Sequence, residues 1–140
     1  MLNLQRTADE LTRVFTEALK PVDLSPSQYN VLRILRGAGI NGWACSEIAE
    51  RMVTRDPDVT RLVDRLERRG LVERDRIAKD RRVVNVRITQ KGVSMLADLE
   101  PALARIERQL MVRLDEDRVK LLIELLEKAR CAPAQFFVLR

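Results

Sequence analysis

Thr60, Arg61, Arg65 and Arg68 fall on one side of a helix if Val59, Leu62, Val63 and Leu66, which recur at helical spacing, turn inward. The chemistry such a face offers is recognition of a polyanion rather than the making or breaking of bonds. A guanidinium can hold guanine O6 and N7 bidentately, and a threonine can meet a base edge or a thymine methyl. Arg61 and Arg65 are the expected base readers, with Thr60 beside them. Arg55 and Arg68, with Lys79 and Arg81 from a second basic stretch, are the expected phosphate contacts, and Asp80 is placed to hold Arg82 through a charge-assisted contact or to end a turn. Asp58, near the helix start, can accept from cytosine N4 or serve the helix dipole, and the dipole role is favoured.

Charge distribution sharpens this expectation. The chain carries 26 Lys or Arg and 21 Asp or Glu, a formal net of +5. Residues 51–91 alone hold 13 basic and 7 acidic residues, net +6, while the remainder is net −1. The excess positive charge therefore lies on the arginine-bearing helix and the hairpin after it, the footprint of a face that binds a polyanion.

Other chemistries lack their residues. There is no His, which removes the commonest general base and the commonest metal ligand together. Cys45 and Cys131 are too few for a disulfide scaffold and have no partner at zinc-site spacing. The five glycines sit singly or at turns, so no phosphate-cradling loop is expected, and the many carboxylates read as solvated partners of Lys and Arg. No catalytic residue, metal or cofactor is expected. No apolar run reaches the length of a signal peptide or membrane span, so a cytoplasmic protein without membrane contact is expected.

These residues need elements to position them. Leu4, Ala8, Leu11, Val14, Phe15, Ala18 and Leu19 share one face of a first helix that stops at Pro21. Ser25, Pro26 and Gln28 make a cap, a first-turn proline and a capping box for a second helix carrying Tyr29, Leu32 and Leu35. A loop is expected over residues 37–42, then a short strand at Trp43 and a helix from Ser46 with Ile48, Ala49 and Met52 inward. Asp56 is expected to cap the next helix and Pro57 to begin it, giving two helices joined by a turn over residues 45–69. Gly70 ends that helix. Residues 72–77 and 82–88 alternate as antiparallel strands with the tip at 78–81, which adds a wing to the helix-turn-helix.

Thr89 can cap a long helix in which Leu96, Leu99, Leu103, Ile106 and Leu110 step by three and four, a heptad seam running through Pro101. Asp115 can cap a last helix with Val119, Leu122, Ile123 and Leu126 inward, ahead of an apolar tail at 131–140. The fold class expected is mainly α with a small β-hairpin wing (α+β): a single domain over 1–140, its DNA-binding part at 25–90 and helical dimerisation parts at 1–21 and 91–140. The dimer expectation rests on Leu4, Leu11, Phe15, Leu103, Ile106, Leu110, Leu122 and Leu126. At roughly 1.5 to 3 kcal/mol per buried Leu or Ile, such a seam from two chains can outweigh an association cost of about 4 to 15 kcal/mol.

Three blocks, SEIAERM at 46–52, VTRLVDRLERRGLVER at 59–74 and DRRVVNVRITQKG at 80–92, together resemble the MarR family of winged helix-turn-helix transcription regulators. The last block is similar to the family's wing signature, with Arg82 matching its wing arginine. The resemblance implies obligate homodimers built from the terminal helices, a recognition helix in each of two major grooves of double-stranded DNA, and wings on minor grooves or backbone. It also implies a small-molecule or redox effector, whose identity the residues do not reveal. Val53, Thr54, Arg55, Asp56, Pro57 and Asp58 depart from the family's glycine-containing turn, so the base-reading positions are expected to be distinctive. Recognition helices one DNA turn apart, roughly 34 Å, call for a pseudo-palindromic operator, and a repressor is the favoured reading. The rivals are an architectural or replicative DNA-binding protein and an RNA-binding module; against the latter, the basic face has no aromatic on which bases stack.

Overall fold

A computed structural model describes residues 2–53, 58–76, 84–112 and 114–131. It contains helices α1 (Leu2–Leu19), α2 (Pro26–Ala38), α3 (Cys45–Arg51), α4 (Val59–Arg68), α5 (Gln90–Met111) and α6 (Glu116–Cys131), with strands β1 (Trp43–Ala44), β2 (Val72–Arg76) and β3 (Val84–Ile88). The chain divides into two units, Met1–Leu103 and Ala104–Arg140. No described helix is long and apolar enough to cross a membrane.

Local chemistry explains the helix starts. Ser25 Oγ accepts from the Gln28 amide at 3.2 Å, Gln28 Oε1 accepts from the Ser25 amide at 2.9 Å, and Pro26 opens α2, where its missing N–H costs nothing. Thr89 Oγ1 accepts from the Gly92 amide at 3.2 Å to start α5, and Asp115 Oδ1 accepts from the Arg118 amide at 2.9 Å to start α6. Helix α5 runs on through Pro101, as its unbroken apolar register requires. Two boundaries differ from expectation. Helix α2 reaches Ala38 and a 3-10 turn follows at Gly39–Asn41, so the expected loop is mostly helical. The cap of α4 is Asp58 rather than Asp56, and the helix begins at Val59 rather than Pro57. Both residues are aspartates before a helix; what decides is that Asp58 Oδ1 reaches the Arg61 amide at 3.0 Å.

The sheet has order β1-β3-β2, all antiparallel, with Trp43 opposite Val86 and Arg74 opposite Val86 on its other side. Gly42 permits the first pairing: at φ +64°, a Cβ there would sit 2.3 Å from the Val86 carbonyl oxygen. The core of the first unit gathers Leu19, Leu24, Val31, Leu32, Leu35, Ile48, Leu62, Val63, Leu66, Leu71, Val72, Val86, Leu96 and Leu99, from α1 through to α5 with β1 contributing none.

Burial revises part of the expected dimer seam. Leu96, Leu99 and Leu103 are covered by their own chain, with Leu103 only 8% exposed. The first half of the seam is thus core, because α5 rises from the sheet and its inner face closes the first unit. Phe15 is half-buried, its ring meeting Tyr29 edge-on with centroids 5.2 Å apart, so it too has a partner at home. Ala49 faces solvent, leaving Ile48 as the buried residue of α3. Leu4 and Leu11 on α1 are exposed, and on α6 so are Leu121, Leu122, Ile123, Leu125 and Leu126. Ile106 is half-buried.

Candidate nucleic-acid interface

Helix α4 has two chemically opposite sides. Val59, Leu62, Val63 and Leu66 are buried, while Thr60, Arg61, Arg65 and Arg68 are exposed, as their spacing requires. Its ends are fixed. Asp58 caps the start, and at the finish Gly70, at φ +70°, lets the Gly70 amide reach the Glu67 carbonyl at 2.8 Å and the Leu71 amide reach the Leu66 carbonyl at 3.0 Å. This paired closure with an apolar residue after the glycine turns the chain directly into β2. Thr89 Oγ1 donates to the Gly70 carbonyl at 2.7 Å and Lys91 Nζ to that of Arg69 at 2.8 Å, so the helix end is also tied to the start of α5.

The exposed cations are held differently. Arg61 Nε lies 2.8 Å from Asp58 Oδ2, within the helix's first turn. Arg68 Nε donates to the Asp64 carbonyl at 3.3 Å, which lays its stem along the helix. Arg69 turns away from this face: its guanidinium donates to the Asp23 carbonyl and, at 2.7 Å, to that of Val22, closing the turn before α2. Arg65, Arg68 and Arg69 border a notch of about 430 Å³ with Asp23 and Gln28. Among the described residues neither Arg65 nor Arg68 forms an ion pair, so both keep their charge for an incoming anion.

Arg74 is the residue that sequence reasoning missed. It stands on β2 and donates to Asp64 Oδ1 at 2.5 Å and to Glu67 Oε2, both on α4. Burial works against its charge, but the hydrogen bond to Asp64 and the field of Glu67 outweigh it and leave the guanidinium above its ordinary pKa. A signal was available: strand alternation puts Arg74 on the same side as buried Val72, and an arginine aimed inward needs carboxylates. Cys45, at the start of α3, lies near Arg74 and Thr60; burial pushes its thiol up, against the opposing field of Arg74. Trp43 carries the Arg51 guanidinium over its ring at 3.9 Å, a half-buried platform rather than core.

Arg55, Lys79, Asp80, Arg81 and Arg82 lie outside the described residues, so the wing tip and the turn before α4 rest on the sequence alone. The side chains of Leu110 and Cys131 likewise lie outside them. Among the described residues no group of three or more His, Cys, Asp or Glu is placed to hold a metal ion.

A second feature of the first unit is a cleft of about 330 Å³ between α1 and α2, bounded by Thr12, Phe15, Pro26, Tyr29, Asn30, Arg33 and Val53. Its walls are aromatic and its rim carries a cation. Asn30 Oδ1 accepts from the Val53 amide at 2.9 Å and so ties the cleft to the residues just after α3.

The model of the MarR family matches residues 24–84, the stretch from before α2 to the start of β3. A solved structure described as a MarR transcription factor from Planctomyces limnophilus is 40% identical, covers 90% of this chain and 91% of its own, and superposes with a TM-score of 0.71. This chain belongs to the MarR family. Its strand order, its helix-turn-helix and its wing are therefore those of a winged-helix transcription regulator that binds DNA. Among curated proteins, the HTH-type transcriptional repressor MdtR of Bacillus subtilis (strain 168) is 35% identical over 91 residues, which span 65% of this chain and 57% of that repressor. The fold of this MarR-family chain is also that of the MepR of S. aureus solved in complex with DNA, with a TM-score of 0.84 at 22% identity over 94% of this chain and 96% of the other.

Proposed function

We propose that this MarR-family protein is a transcriptional repressor that binds a pseudo-palindromic operator in double-stranded DNA as a homodimer and is released by a small ligand. One observation carries the DNA part: Thr60, Arg61, Arg65 and Arg68 stand exposed on one side of a helix whose other side is core and whose ends are both fixed. A rigid rod with such a face suits the major groove, where arginine discriminates guanine. Arg55, Lys79, Arg81 and Arg82 add phosphate contacts from the turn and wing, with Asp80 supporting Arg82.

The homodimer is supported by the apolar residues that stay exposed on α1 and α6. Leu4 and Leu11 on the first helix, and Leu122 and Leu126 on the last, are between 38% and 52% exposed in the single chain. Four leucines left in water on the terminal helices favour association. The cleft beside Phe15, Tyr29 and Arg33 suits a small aromatic anion, its ring against the aromatics and its charge near Arg33.

Selection from a random duplex pool, with sedimentation of the free protein, tests this reading. A palindromic consensus and a dimer are expected. A pool that yields no consensus points to architectural binding, preference for single-stranded RNA points to the other rival, and a monomer removes the two-helix geometry.

A further inference from the structure

Helix α4 carries a problem that its sequence does not solve. Between Val59 and Arg68 it offers three arginines to DNA but also two carboxylates, Asp64 and Glu67. Asp64 sits three residues from Arg61 and four from Arg68, the spacings at which opposite charges on one helix pair. Left to themselves these groups would neutralise one another, and the helix would meet phosphates with little net charge.

The two carboxylates are instead drawn to β2. Arg74 takes Asp64 with one guanidinium nitrogen at 2.5 Å and Glu67 with the other. Its side chain is 26% exposed, against 45% for Asp64 and 38% for Glu67, so the pairing is shielded chiefly on the arginine's side. Arg68 lies beside Asp64 yet touches its backbone carbonyl, not its carboxylate. We infer that Arg74 is a positioning residue for DNA binding: by holding Asp64 and Glu67 against the base of the wing it draws their charge from the exposed face of α4 and leaves Arg65 to meet a base edge and Arg68 a phosphate. This inference rests on the DNA-binding reading above.

A mutant cycle read by fluorescence anisotropy on a short mixed-sequence duplex at low salt tests it. R74Q weakens binding about tenfold and lowers the salt slope, because Asp64 then pairs with a cation of its own helix and one phosphate contact is lost. D64N/E67Q in the native background stays within about twofold of the parent, since those charges are already masked, whereas in the R74Q background it restores about tenfold. R74K, which keeps a charge but not the fork, falls between parent and R74Q. If R74Q does not fold by circular dichroism, the triple variant, which needs no clamp, decides: parental affinity supports the inference and weak binding by a folded triple variant overturns it. Equal gains from D64N/E67Q in both backgrounds also overturn it, leaving the DNA-binding reading intact. A parent that binds no duplex overturns both.

Discussion

Asp58 and Arg61 are joined twice: Oδ1 of the aspartate accepts the Arg61 backbone amide at 3.0 Å while Oδ2 holds its guanidinium at 2.8 Å. One residue thus starts α4 and restrains the arginine proposed to read a base. The first role needs only an acceptor oxygen, the second needs charge, and substitution can separate them. Asp58→Asn should keep the helix and loosen Arg61, so thermal stability stays near the parent and duplex affinity rises by a few-fold as one negative charge leaves the face. Asp58→Ala should cost about 0.5 to 2 kcal/mol in denaturant unfolding through the lost cap. Weaker DNA binding by the Asn variant would show that the Arg61 restraint helps recognition rather than opposing it.

Arg61 and Arg82 should fail in different ways. Arg61→Ala is expected to relax preference at one base pair per half-site, at about 1 to 3 kcal/mol. Arg82→Ala is expected to weaken all sequences alike and flatten the log-log salt slope by roughly one unit per chain. Titration against a randomised operator library at several salt concentrations separates the two. Uniform weakening from the Arg61 change, or an unchanged slope from the Arg82 change, contradicts the respective assignment.

Charge placed on α6 should dissociate the proposed dimer. Leu122→Glu with Leu126→Glu buries two carboxylates at a mated surface, which costs far more than the lost apolar contact. Sedimentation should show a monomer with native helix content, and operator affinity should drop by at least about a hundredfold as two-site binding is lost. A dimer that persists would place the interface elsewhere.

Cys45 should be a poor nucleophile at neutral pH. Burial raises its pKa, so the thiolate is scarce and alkylation in a Cys131→Ser background should be slow at pH 7 and accelerate as pH rises. Stability responds in the same direction: a thiol whose folded pKa exceeds its unfolded value adds stability that is complete below the unfolded pKa and fades as pH climbs through the folded one. Peroxide at neutral pH should leave operator affinity intact. Rapid loss of DNA binding that tracks Cys45 oxidation would make it a redox switch instead.

Much of the architecture was legible because its signals are local. The Ser25 and Gln28 capping box, the left-handed Gly70, the Thr89 and Asp115 caps and the alternation of β3 each depend on residues within a few positions of one another. The exposed arginine row on α4 was legible for the same reason, since helical period alone sorts it from the buried row. The choice between Asp56 and Asp58 as cap was not, because two aspartates before one helix carry the same propensity, and only the actual chain path places an oxygen at the Arg61 amide.

Residues far apart in sequence decided the rest. Arg74 is ten residues from Asp64 and seven from Glu67, and the three meet only because the turn at Gly70 folds β2 back onto α4. Phe15 was expected in the dimer seam and Tyr29 on the apolar stripe of α2, yet they wall one cleft where α1 meets α2. An apolar stripe records only that a face must leave water. Whether it is covered by its own chain, as for Leu96, Leu99 and Leu103, or left exposed, as for Leu122 and Leu126, depends on which surfaces the fold brings against it. Burial is non-local, so periodicity in the chain determined which sides of the helices are apolar and which are cationic, and tertiary packing alone determined where each is spent.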